Sequence, residues 1–175
     1  MKKVFFLSII TAFTLVFTSC SNDEDAVSNT SEEDIIGVWN LTALEATDGR
    51  SETTIEGTVI PATFKAVGKD FQTVVTFSED PQTVVSEGSY TTVLSTTIGG
   101  ENQTQEQEGE DFFESEKWRL DGSTLYFGSG DEEVGFTIVE LNDSKISLRY
   151  ELNETVESFF GTSTVSATYN MTLSK

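Results

Sequence analysis

The chain of 175 residues has no histidine, one cysteine, two prolines, and ten basic residues against thirty acidic ones. Without an imidazole there is no Ser-His-Asp or Cys-His apparatus and no His-ligated zinc. A lone cysteine, Cys20, excludes a disulfide within the chain. The scarcity of positive charge leaves a net charge of −20, which repels phosphate backbones and excludes nucleic acid as a partner. Only one long apolar run occurs, Val4 to Phe17. It falls short of the roughly 20 residues a membrane-spanning helix needs, and Ser8, Thr11 and Thr14 interrupt it. The acid clusters Asp23-Glu24-Asp25 and Asp131-Glu132-Glu133 lack the alternating ligands and central glycine of a calcium loop. No metal and no other cofactor is expected.

What is present begins with Met1-Lys2-Lys3 followed by that apolar run, the plan of a secretory signal over residues 1–19. Its end, Phe17-Thr18-Ser19-Cys20, resembles a lipobox, with Phe17 where leucine is usual. The resemblance implies that Cys20 carries acyl chains such as palmitate and becomes the mature N-terminus, held to a membrane by lipid. Removal of the leader takes Lys2 and Lys3 with it, so the net charge goes from −20 to −22. Residues 20–34 then read as a lipidated cysteine and an acidic, flexible tether, containing Asp23, Glu24, Asp25, Glu32, Glu33 and Asp34 and no basic residue. As a coil of about 14 residues it would span roughly 20 Å. Ser21-Asn22-Asp23-Glu24-Asp25 is similar to the acidic export signal with which some Gram-negative bacteria send lipoproteins to the outer face of the outer membrane. The expected location is therefore the outer membrane, facing the cell exterior.

From Ile35 to Lys175 the pattern has a period of two, rich in Val, Ile, Thr and aromatics, with only Pro61 and Pro81 to break it. Phe71, Thr73, Val75 and Phe77 share one face of a strand that turns at Ser78-Glu79-Asp80-Pro81. Thr83 to Thr97 reads as one long strand bent at Gly88, and the polar run Gly99 to Gly109 as a mobile hairpin tip. An Asp121-Gly122 turn joins Trp118-Arg119-Leu120 to Leu125-Tyr126-Phe127 in a strong hairpin signal. A second hairpin joins Phe136 to Leu141 with Ile146 to Leu152 through Asn142-Asp143-Ser144, and Phe159-Phe160-Gly161 closes the loop before the last strand. Consecutive hairpins of this kind give an all-β fold, an antiparallel up-and-down barrel of about eight strands, with a flattened β-sandwich as the alternative.

The fold begins at Ile35-Ile36-Gly37-Val38-Trp39-Asn40-Leu41, where Trp39 is the first large side chain available to close a core. Gly37-Val38-Trp39 resembles the opening motif of lipocalins and of the lipocalin-like domains of many Gram-negative lipoproteins. A second lipocalin motif of the Thr-Asp-Tyr type is absent, and Arg149 or Lys175 would have to supply the basic residue that covers the tryptophan in that family.

Two classes of function follow. The first is a non-catalytic binding module for a small apolar or amphipathic ligand, or, equally compatible with the sequence, an accessory envelope lipoprotein contacting a protein partner. Its pocket candidates are Trp118, Leu148, Tyr150, Tyr169 and Met171, inner-face residues that barrel closure gathers together with Trp39, Leu41 and Leu120. The second is a carboxylate-based hydrolase, for which Glu114, Glu116 and Glu140, beside Phe112, Trp118 and Val139, are the acids to consider. With no histidine and no metal motif, the first class is favoured and no catalytic residue is assigned.

Overall fold

The computed structural model describes residues 30–109, 112–113, 116–158 and 161–175. The expected secretory signal, Cys20, Glu114 and the Phe159-Phe160 pair lie outside the described residues. Among the described residues one helical turn, α1 (Glu32–Ile35), precedes eleven strands: β1 (Gly37–Ile55), β2 (Thr58–Lys69), β3 (Val74–Glu79), β4 (Gln82–Glu87), β5 (Tyr90–Ile98), β6 (Glu101–Gly109), β7 (Glu116–Asp121), β8 (Thr124–Phe127), β9 (Val134–Asn142), β10 (Lys145–Ser158) and β11 (Gly161–Ser174).

Eight of these close a ring in the order β1-β3-β4-β7-β8-β9-β10-β11, every neighbouring pair antiparallel. The barrel is closed by pairing of β1 with β11, running from Asn40 opposite Ser174 to Thr54 opposite Thr162. Period-two alternation sends Trp39, Leu41, Val75, Phe77, Val84, Trp118, Leu125, Ile138, Ile146, Leu148 and Leu173 inward, where all are buried. An eight-stranded barrel is just wide enough for its own side chains to fill it, and these do.

Three strands lie outside the ring. At 19 residues β1 is far longer than the barrel is tall, and β10 and β11 have 14 each. Their upper parts continue past the ring, and the freed edge of β1 from Glu45 to Ile55 pairs with β2, which carries β5 and β6 beyond it. The result is a wing of six strands, β6-β5-β2-β1-β11-β10, rising from one side of the barrel. Irregularities at Leu41/Ala43 and Thr47/Arg50 let β1 change course from ring to wing.

The wing departs from the sequence reading in three ways. Thr83 to Thr97 is not one bent strand: it breaks into β4 and β5 at Gly88, whose φ of +118° and approach to the Gln72 carbonyl leave no room for a Cβ. The polar run from Gly99 is not a hairpin tip throughout. Gly99-Gly100 make the turn, and Glu101–Gly109 pairs with β5 as an edge strand, held by backbone hydrogen bonds and needing no apolar face. Its three acids guard an edge that would otherwise recruit other chains. The strand β2 went unread because Pro61 interrupts it. Pro61 opposes Glu52 of β1, but the pairing with β5 starts only at Ala62, so the missing N–H falls where the sheet asks for none.

All the tight turns of the ring's lower rim, at 80–81, 122–123 and 143–144, sit at the same end as α1 and Lys175. That end is plugged. Gly37 takes φ +132°, which favours glycine and turns the chain into β1. The Trp39 indole N–H donates to the Ile35 carbonyl at 2.8 Å, and both side chains are wholly buried. The Lys175 ammonium lies 4.3 Å from the Trp39 ring centroid, so Lys175, and not Arg149, is the basic residue that covers the tryptophan. Asp34 accepts a hydrogen bond from the Ser31 N–H at 3.1 Å, which organises α1. Glu32, Glu33 and Asp34, read from sequence as the end of a flexible tether, thus belong to an ordered helical turn that delivers Ile35 into the plug.

Candidate functional site

The opposite end of the barrel is open and aromatic. Phe71 stacks on Tyr90, Tyr90 meets Phe112 edge-on at 6.0 Å, Phe112 meets Phe113 at 4.8 Å, and Phe113 stacks on Phe127 at 4.6 Å. The series continues through Phe136 to Tyr150 and Tyr169, with centroids 5.2 and 6.1 Å apart along the last two steps. Phe113 and Phe127 are buried, whereas Phe71, Phe112, Phe136, Tyr150 and Tyr169 are half-buried and rim the mouth. Apart from the adjacent Phe112 and Phe113, each comes from a different place in the chain, so closure of the ring assembles them.

Ser86 holds part of this rim in position. It sits opposite Val75 on the inner face of β4, 1 % exposed, and its Oγ accepts hydrogen bonds from the Phe112 and Phe113 N–H groups, both at 2.8 Å. Its own N–H donates to the Phe113 carbonyl at 2.9 Å. Phe112 and Phe113 are thereby drawn down so that Phe113 joins the core. Beside it, the hydroxyl of Thr73 is the one buried side-chain polar atom among the described residues without a hydrogen-bond partner.

The inner face does not stop at the mouth. Strand register carries it onto the wing, where Leu152 and Val165 continue from Tyr150 and Tyr169, and Phe64, Ala66 and Leu94 lie across β2 and β5. All are half-buried, because nothing packs over them. Glu154 stands on this face too, opposite Val165.

Burial raises the hydroxyl pKa of Tyr90 above its ordinary value; burial and then the negative charge of Glu154 do the same for Tyr150 and Tyr169. These tyrosines are expected to ionise late in an alkaline titration followed by phenolate absorbance. In the unfolded chain they release protons near pH 10. Above that pH the folded state holds more protons, so stability falls as pH rises, whereas below it the contribution is complete. Urea midpoints at about pH 9 and about pH 11 check this, the second being the lower; equal midpoints would mean the rings are freely solvated.

Of the five pocket candidates, Trp118, Leu148 and Met171 are buried core residues, and Trp118 donates its indole N–H to the Ser78 carbonyl at 3.0 Å. Tyr150 and Tyr169 belong to the mouth. Sequence reading missed Leu44, because the irregularity at Leu41/Ala43 shifts its parity, and did not connect Phe71, Tyr90, Phe112 and Phe136 with one another. An open groove of about 260 Å³ lies elsewhere, among the outward residues Glu151, Asn153, Ser166 and Thr168 beside Asp48, and contains none of the five.

The carboxylates do not gather. Glu116 is exposed at the start of β7, on the face it shares with Trp118 and opposite Val84, and Glu140 is tied to Lys145 at 2.7 Å. Glu133 pairs with Arg119, whose guanidinium also covers Tyr126 at 3.8 Å, and Glu132 is exposed. Among the described residues no three acids, cysteines or histidines cluster as a metal site. Comparison of the chain with protein-family models, with curated proteins and with solved structures finds no match.

Proposed function

We propose that this protein is a lipid-anchored outer-membrane lipoprotein with a lipocalin-like domain, which binds a small apolar or amphipathic molecule at the open end of its barrel and performs no catalysis on it. The observation that carries the reading is the rim of half-buried aromatic rings at the mouth. Concave, aromatic-lined surfaces with few polar groups are what small-molecule sites are made of. Because side chains occupy the space between the ring strands, the ligand lies in the mouth and against the wing and does not enter the core. The lipocalin resemblance is supported by Trp39 at the plugged end with Lys175 over its ring.

Polarity of the molecule supports the anchored arrangement. The chain enters through α1 at the plugged end, so a tether reaching back to Cys20 would leave the mouth and wing facing away from the membrane. Two measurements test the reading. Cys20→Ala is expected to abolish the acyl mass increase and release the protein from membranes; a wild-type protein that fractionates as soluble would overturn the anchor. In the binding arm, an environment-sensitive apolar dye is expected to bind saturably, and Phe136→Ala with Tyr150→Ala to weaken it by about tenfold, the loss of roughly 1.4 kcal/mol of ring contact. A second reading, contact with a protein partner, draws on the exposed Ile55, Ile60, Ile98 and Val156 at the far end of the wing. Failure of the dye to bind saturably would move the function there.

A further inference from the structure

The eight basic residues beyond Lys2 and Lys3 are distributed on one side of the sheet only. Arg50, Lys65, Lys69, Lys117, Arg119, Lys145 and Arg149 all face outward by strand register, and Lys175 covers Trp39 at the plugged end. None stands on the inner face of the mouth or wing. In the middle of that face Glu154 is half-buried, four residues along β10 from Tyr150 and on the same side, and its charge is felt by both Tyr150 and Tyr169. No described cation pairs with it, whereas Lys69, Lys145 and Arg119 on the outer surface and rim all have carboxylate partners.

From this we infer that the mouth selects amphipathic molecules with a positively charged head, an alkyl or aryl ammonium, and rejects carboxylates such as fatty acids. This rests on the ligand-binding reading above and names the chemistry of its ligand. The apolar part lies on Phe136, Leu152 and Val165, and the ammonium sits between the faces of Tyr150 and Tyr169 and the Glu154 carboxylate. Ring faces carry negative potential and attract a cation more strongly as water is displaced. An anionic head in the same place meets the same rings and an unneutralised carboxylate, with no lysine or arginine in reach to receive it.

Calorimetric titration of the purified protein with octyltrimethylammonium, octanoate and 1-octanol, at physiological salt to screen the overall negative charge, separates the head group from the chain. The ammonium is expected to bind about tenfold more tightly than octanol, a difference of roughly 1.4 kcal/mol, and octanoate more weakly than either. Glu154→Gln should bring the ammonium and octanol to within about twofold while leaving octanol unchanged, a difference under about 0.5 kcal/mol. Glu151→Gln, the same charge change on the outer face of the same strand, should leave the preference intact. If octanol binds saturably but octanoate binds as well as the ammonium, or if both variants erode the preference equally, the head-group inference fails and the ligand-binding reading stands. If none of the three binds saturably, both fail.

Discussion

Trp39→Ala is expected to lower the stability of the domain by about 3–5 kcal/mol, the range for emptying a large buried aromatic site. Trp39 has no exposed surface and sits at the plugged end among Ile35, Leu41 and Leu173, in a core whose strands are held on both sides. The substitution removes the indole volume, leaves the Ile35 carbonyl without its 2.8 Å donor, and strands the Lys175 ammonium over a void. Backbone ring closure by β1 and β11 prevents the walls from collapsing inward, so the cavity term persists. Urea unfolding is the measurement: the midpoint should fall with the slope unchanged. A loss below about 1 kcal/mol is what a surface change gives, and would mean that Trp39 does not close the barrel. Trp39→Phe separates volume from hydrogen bond, and should recover more than half of the loss.

Ser86→Ala carries the second-largest effect, about 2–4 kcal/mol, because two backbone N–H groups lose their shared acceptor, each at about 1–3 kcal/mol when buried. Phe113 is 8 % exposed and its amide has nowhere else to turn; Phe112 is half-buried, so water recovers part of its share. The loss is expected to be concentrated at one place. Release of the Phe112-Phe113 segment should expose Phe127 and increase binding of an apolar dye at the mouth, while the plugged end stays protected in hydrogen exchange. A loss spread evenly over the barrel, or one under about 0.5 kcal/mol, would show that Ser86 does not pin this segment.

How much of this was legible beforehand depends on what holds each element. Strands with one buried face announce themselves: Ile146, Leu148 and Tyr150 alternate with Ser147 and Arg149, and in the structure they do line the two faces of β10. The turns at Asp121-Gly122 and Asn142-Asp143-Ser144 are local chemistry and appear where read. The wing is different, because β2 and β6 are supported by backbone pairing to a neighbour far away in sequence, and side-chain pattern hardly registers it. A run such as Gln103-Thr104-Gln105-Glu106 has no apolar member, yet as the outermost strand it has no core to face. The inner face was recoverable along any one strand, but the mouth required the order of strands around the ring. The irregularities in β1, which move Leu44 and Ala46 onto the inner face, leave no mark in composition. Ser31 three residues before Asp34 was the overlooked sign that order begins ahead of Ile35.

β1 runs without a break from Gly37 beside the plug to Ile55 at the far limit of the wing. A tensile load applied between these two points is therefore borne by the covalent backbone of a single strand. The hydrogen bonds to β11, from Asn40 to Thr54, flank that line and are neither sheared nor unzipped by it. Whatever is held at the wing can be pulled on without the barrel beneath it coming apart bond by bond.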